Sequence, residues 1–369
     1  MDIGILAGNV KRIRIAKQMS QSKLAKCSGV SLPAIKNIES EKNSPRVSTI
    51  QQIADALGVR LQELFVPVNE LKSVRFRSFK KIQGREYILL HISSWLDDFT
   101  FVENSLNLQL QYKFHKAFQK SFLSAPEKLA AEVRKMLGLK ADEPIYDICG
   151  LLESTGIKVY PFTYASDSFF GLAVNDEMYG PAVVVNNWEK ISVERQIFSA
   201  AHELGHLLMH FKSFSVNEDS ECEREENEAN NFASYFLLPD SGFKKEWYEA
   251  NGLHPVDRVM KVKRIYRVSY KTILYRLIEN KMADEHIWSR FAAAYQGRYK
   301  RRLQFKEEPL PSAEPFGMER FDFYEDRLSK LVKQAVEVEA ISVSRGAEIL
   351  KISIEEMRDL LQESSLILQ

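Results

Sequence analysis

The pentapeptide HELGH, with His202, Glu203 and His206, holds the residues of this sequence whose types and spacing could do chemistry. It lies in the run Glu194–Met209, ERQIFSAAHELGHLLM, which reads as one helix. Residues four apart on a helix share a face and stand about 6 Å apart along its axis. Two imidazoles so placed can grip one Zn²⁺, with the carboxylate between them beside the metal's open position. Glu203 can then take a proton from the attacking water and pass it to a leaving amine. Ile197, Phe198, Ala200, Ala201, Leu207 and Leu208 surround the motif, so this helix is expected to be buried. Buried histidines and a buried glutamate need partners to offset desolvation. An amphipathic helix with surface histidines is the competing reading of the pentapeptide alone.

A tetrahedral site with one open position needs a third ligand. His210 shares the face of His206, but it lies eight residues beyond His202, about 12 Å along the axis, so it reads as a helix-end or outlying partner. Cys222 sits in a polar stretch, DSECERE. Glu226, twenty residues after His206, opens ENEANNFASYFLLP, a second long helix able to pack antiparallel to the first. Asn230 follows one turn later and can accept the free N–H of a ligating histidine. Glu225 and Glu228 are neighbouring fallback ligands. This set is similar to the ligand plan of the Glu-zincin metallopeptidases, with Asn where Asp is more usual.

The elements that must position these residues precede the metal helix. Residues 127–138 read as an amphipathic helix ended by Gly138, and Ile145–Ser154 as another. Gly156 turns into the strand IKVYPF. Phe170–Val174 and Ala182–Val185 read as two more strands around a turn at Asp176–Gly180. Residues 66–125 read as a helical connector. It contains the basic string VRFRSFKK and two amphipathic runs, Arg85–Asp98 and Asn107–Phe122.

Residues 9–65 read as five short helices. Val10, Ile13 and Ile15 begin an apolar stripe, Ser20 and Ser31 are N-caps, and Gly29 makes a turn. Ser48 or Thr49 begins a fourth helix, which Gly58 ends, and Leu61, Leu64 and Phe65 close the core. Residues 1–65 carry ten Lys/Arg and five Asp/Glu, a balance of +5 within a chain of net charge +1. A basic end on a near-neutral protein points towards nucleic acid. The string SQSKLAKCSGVSLPAIKNIESEKNSPRVSTIQQIADALGVRLQELF resembles the lambda-repressor-like helix-turn-helix family, whose third helix enters the major groove. By position, the resemblance implies that Ser31, Leu32, Ala34, Lys36 and Asn37 face the groove. It makes Gln21, Lys23, Lys42 and Arg46 candidate phosphate contacts. Pro33 departs from the pattern, since it removes a donor and stiffens the reading end.

Residues 127–240 resemble the ImmA/IrrE family of metallopeptidases through IYDICGLLESTGIKVY, FFGLAV, PAVVVNN, ERQIFSAAHELGHLLMH and ENEANNFASYFLLP. The connector also looks like the linker of members with a helix-turn-helix in front. The resemblance implies a zinc-dependent endopeptidase that cleaves or inactivates a DNA-binding repressor under stress or mobile-element signals. It implies Zn²⁺ on His202, His206 and Glu226, Glu203 as base, and Asn230 behind a ligand. Tyr235, His210 and His254 are candidate electrophiles. Its implied partners are double-stranded operator DNA and a protein substrate, such as a repressor.

Helical runs at Val256–Arg267 and Tyr270–Asn280 follow, then a proline-bearing stretch, KEEPLPSAEPFG. ISVSRGAEILKISIEEMRDLL then looks like a second helix-turn-helix. Glu355 and Glu356 at the start of its second helix would repel phosphates, so a partner or a second copy of the chain is expected there, a homodimer among the options.

Three scattered cysteines, Cys27, Cys149 and Cys222, argue against a disulfide framework and for a reducing compartment. No apolar run approaches the roughly 20 residues a bilayer requires, and Met1–Val10 does not read as a signal peptide. The expectation is a cytoplasmic, mostly helical α+β protein. Residues 1–66 form a five-helix helix-turn-helix domain and 67–125 the connector. Residues 126–285 form a zincin-like peptidase domain with a small sheet, and 286–369 a helical module. Three functions remain open: an active protease-regulator, a transcription regulator whose peptidase-like domain senses a ligand without cutting, and a protein–protein module. The intact Glu203 favours the first over the second, and Pro33 favours a protein partner over DNA.

Overall fold

A computed structural model describes the chain except residues 1–2, 18, 66–70, 72, 77–84, 115–124, 167, 211–212, 215–221, 304–313 and 368–369. Parts of VRFRSFKK, Asn107–Phe122, DSECERE and KEEPLPSAEPFG lie outside the described residues. Among the described residues no helix is long and apolar enough to cross a membrane.

The N-terminal unit comprises α1 (Ile3–Ala16), α2 (Gln21–Ser28), α3 (Leu32–Glu39), α4 (Val47–Leu57) and a 3-10 turn (Leu61–Phe65). The Ser20 and Ser31 hydroxyls accept from the backbone N–H of Lys23 and Ala34, the capping that starts α2 and α3. Gly29 and Gly58 adopt the left-handed conformation that ends a helix. Two expectations change. The apolar stripe begins at Leu6 and Ala7 and runs through Val10 and Ile13, while Ile15 is only half-buried. Helix α4 begins at Val47 behind Arg46, because neither Ser48 nor Thr49 takes the cap position.

Next come β1 (Val74–Phe76), α5 (Arg85–Leu106), α6 (Pro126–Met136) and α7 (Ile148–Glu153). The strands β2 (Lys158–Phe162), β3 (Gly171–Asp176) and β4 (Gly180–Asn186) follow. The sheet order is β1-β3-β4-β2. Strand β3 is antiparallel to both β1 and β4, and β2 is parallel to β4. The connector is therefore not purely helical, since β1 pairs Val74, Arg75 and Phe76 with Val174, Ala173 and Leu172. Asn107, in the left-handed region, ends α5, and Lys113 N–H then bonds Thr155 O, so residues 107–114 are not helical. The expected helix over Ile145–Ser154 shortens to α7, because the Asp147 carboxylate caps it at Gly150.

The sheet is covered on both faces. Leu172, Val174, Ala182 and Val184 pack with Ile88, Ile92, Leu96 and Phe99 of α5 and with Leu328, Leu331 and Val332. Ala173, Val183 and Val185 point the other way, as the period of two requires, into a core with Ile197, Ala200, Phe232 and Phe236. The second face carries α8 (Val193–Met209), α9 (Glu223–Leu237), α10 (Asp240–Glu249), α11 (Pro255–Tyr266) and α12 (Tyr270–Glu279). After α13 (Ile287–Tyr299) the chain reaches α14 (Arg327–Glu337), α15 (Val343–Leu350) and α16 (Ile354–Ile367). Buried Glu103 on α5 ties this last module down, accepting from Arg327 at 2.5 Å and pairing with Lys158 at 3.2 Å.

Candidate metal centre

Ser192 caps α8 by accepting from Arg195 N–H, and Glu194 in the first turn suits the helix dipole. Buried Glu194 is also held by Lys263 of α11 at 2.5 Å and accepts from Met318 N–H at 2.9 Å. The start of the metal helix is thus anchored to the surrounding chain.

Helix α9 lies antiparallel to α8: His202 meets Asn230, His206 meets Glu226, and Ser213 beyond α8 meets Glu225. Gly205 lets them approach. A methyl there would lie 3.0 Å from the Phe232 ring and 3.4 Å from Ala229 Cα. Overpacking of that kind costs about 1–3 kcal/mol.

The close crossing brings three donor atoms together. His202 Nε2 and His206 Nε2 are 2.9 Å apart, and Glu226 oxygens lie 3.3 and 3.1 Å from them. These three residues form the group among the described residues able to hold a metal ion. Ligand bonds of about 2.0–2.2 Å in a tetrahedron place donors about 3.3–3.6 Å apart, up to a few tenths of an ångström wider than the spacing seen. The donor set of two imidazoles and one carboxylate suits Zn²⁺, so the residues fit the ion.

Each imidazole is oriented from behind. His202 Nδ1 lies 3.0 Å from Asn230 Oδ1, which leaves Nε2 for the metal. His206 Nδ1 lies 2.9 Å from His210 Nδ1, whose Nε2 lies 3.0 Å from Glu228 Oε2. Burial lowers His206 to a pKa of about 4 against the opposing pull of Glu226, so the ring is neutral, as a ligand must be. Burial pushes the Glu226 carboxyl up, but its contacts with the His202 and His206 rings outweigh that and hold the group well below the ordinary carboxylate range.

Glu203 is fully buried between the helix pair and the sheet. A Cβ on Gly171, at the start of β3, would stand 3.2 Å from Glu203 Oε1 and 2.8 Å from Val184 O, so glycine leaves room for the carboxylate. The other candidates lie apart from the triad. Cys222 is exposed at the N-cap of α9, His254 caps α11 through Val256 N–H, and Tyr235 lies under the Arg276 guanidinium at 3.6 Å. Glu225 and Glu228 bond Arg75 and His210 instead.

Residues 152–278 match the family model of the IrrE N-terminal-like domain, a peptidase family, and residues 10–64 match a helix-turn-helix family. The chain joins a helix-turn-helix to an IrrE-like peptidase domain. A comparison with curated proteins finds no match. The IrrE-like span contains His202, Glu203, His206, Glu226 and Asn230 but leaves out β1 and α14–α16.

Sequence reasoning missed Arg75, which comes from β1 to donate to Glu225 at 2.5 Å and stand 3.5 Å from Glu226 Oε1. Its signal was slight: one arginine in a basic string.

In the helix-turn-helix, Ser31, Lys36, Lys42, Arg46 and Lys23 are exposed, and Leu32, Ala34 and Asn37 are half-buried. Gln21 turns inward, donating to Glu39 at 2.7 Å, and Glu39 also holds Arg14. Pro33 occupies the first turn of α3, where its missing donor costs nothing.

Proposed function

We propose that the chain is a zinc-dependent endopeptidase that cleaves a regulatory protein, carried on a domain that binds operator DNA. The supporting observation is the buried His202–His206–Glu226 triad with Glu203 beside it. Zinc on the triad would supply Lewis acidity and make water a nucleophile at neutral pH. Glu203 is placed to hold the proton lost by the attacking water and return it to the leaving amine. Asn230 and His210 keep the two imidazoles turned towards the ligand point. Ser31, Leu32, Ala34, Lys36 and Asn37 are proposed to face the major groove, with Lys23, Lys42 and Arg46 on phosphates. The amide of Gln21 is already engaged by Glu39. The proposed substrate is a DNA-binding repressor or an antitoxin-like protein, cut in the cytoplasm in a stress or mobile-element response.

The test is Glu203→Gln. The amide cannot take the proton, so cleavage of a co-expressed regulator should fall about 10²–10⁴-fold while zinc content and operator binding stay at wild-type levels. Cells whose promoter response survives Glu203→Gln would show a sensor domain that regulates without cutting.

A further inference from the structure

The metal centre is closed: His202 and Glu203 are 0% exposed and His206 is 1% exposed. Strand β1 is one of the elements that close it. It lies at the sheet edge beside β3, with Arg75 opposite Ala173. Opposed residues of an antiparallel pair share a face, and Ala173 belongs to the core of α8 and α9. Arg75 accordingly reaches Glu225 and the prospective ligand Glu226, while neighbouring Val74 is buried in the opposite core. The guanidinium is 9% exposed.

With β1 gone, β3 would be the free edge of the sheet. Its first residue, Gly171, is the one whose Cβ position stands 3.2 Å from Glu203 Oε1. An exposed edge is where an extended peptide adds as a further strand, through main-chain hydrogen bonds. The backbone row leading to the base is therefore already taken, in cis, by a strand that begins nine residues after the helix-turn-helix closes at Phe65.

We infer that β1 is an autoinhibitory strap: Val74–Phe76 fills the edge of β3, Arg75 latches it to Glu225 and Glu226, and an extended protein substrate reaches Glu203 by displacing it. The inference rests on the proposed metal centre. The strand is three residues long and is held by its pairing with β3, by the Arg75 latch and by Val74 in the opposite core.

A gate speeds entry and exit of the metal alike and leaves its affinity unchanged. A group that merely tunes a ligand's charge changes affinity. The full chain, stripped of metal, is given zinc to measure loading, and the zinc-loaded chain is given EDTA to measure extraction. If the closed state holds all but a few per cent of molecules, Arg75→Gln should raise both the loading and the extraction rate about tenfold or more. The double variant Val74→Cys with Val174→Cys, at positions facing each other across β1 and β3, should slow both rates when oxidised and recover on reduction. This pair decides the matter alone if Arg75→Gln does not fold.

Unaltered rates in both variants overturn the strap while the metal centre stands. Tighter binding with slower extraction in Arg75→Gln also overturns it, and makes Arg75 only a charge beside Glu226. A wild-type chain that never loads zinc overturns both readings together.

Discussion

Helices α8 and α9 hold the proposed metal triad, and helices α2 and α3 carry residues proposed to face DNA. Both pairs begin on serine caps where a cap is formed, at Ser192, Ser20 and Ser31. What surrounds them differs. Around the triad the ligands are backed by other polar groups: Asn230 behind His202, His210 and Glu228 behind His206, Arg75 on Glu225 and Glu226. Around α3 the polar groups that matter face solvent. Among the described residues Lys36, Lys42 and Arg46 form no ion pair with an acidic side chain. The contrast is physical. Charge that must bind a small ion in a dry site has to be fixed and balanced beforehand. Charge that meets a phosphate backbone is balanced by the ligand itself.

The two regions are expected to act independently. The double variant His202→Ala, His206→Ala should take zinc from about one ion per chain to none by elemental analysis, since a single carboxylate does not make a zinc site. Operator binding by the same protein should be unchanged in a gel shift. Full zinc occupancy in the double variant would put the metal elsewhere.

A smaller effect tests whether the groups behind the ligands matter. Asn230→Ala removes the partner of His202 Nδ1, and Glu228→Gln weakens the support of His210. Each should lower zinc affinity about 10–100-fold, measured by competition with a chelator, with folding retained. Wild-type affinity in both would mean that packing alone orients the rings.

On the exposed side, Lys23→Ala or Lys42→Ala should weaken binding to all DNA sequences alike. Each should reduce the slope of log affinity against log salt by about one for a phosphate contact. An unchanged slope would move the contacts away from that lysine.

The smallest effect concerns pH and the docking of the last module. Burial, then the neighbouring Glu325 carboxyl, raises Glu153 at the end of α7 well above the ordinary glutamate range. A carboxyl raised on folding contributes stability that is complete below its unfolded pKa and is lost as pH rises through the folded value. Thermal stability should therefore decline from mildly acid to mildly alkaline pH. Glu153→Gln should flatten that decline, and an identical pH profile in the variant would show that Glu153 carries none of it.

Local spacing made the centre of this protein readable. HELGH places two histidines on one face in any helix, and Glu226 with Asn230 one turn later repeats the device on α9. The left-handed glycines, Gly29 and Gly58, were equally plain, because few other residues end a helix so cheaply. Boundaries were less plain where the signal was a single residue. Capped by Asp147, α7 starts three residues after the periodicity suggests, and Asn107 ends α5 where a second amphipathic run begins in sequence. Strand β1 was not readable, since an alternation only three residues long is too short to mark a strand and its partner, β3, lies about a hundred residues away.

By itself the sequence determined the capped helices, the paired histidines with their intervening base, and the basic sign of the N-terminal unit. All of these depend on residues within a few turns of one another. The tertiary structure decided which carboxylate stands at the ligand point. Glu225, Glu226 and Glu228 are near neighbours on α9, and only the antiparallel crossing over Gly205 turns Glu226 towards both imidazoles. It also decided that the connector closes the sheet beside the metal centre. An edge strand acquires meaning only from the strand it pairs with, and sequence distance does not encode that pairing.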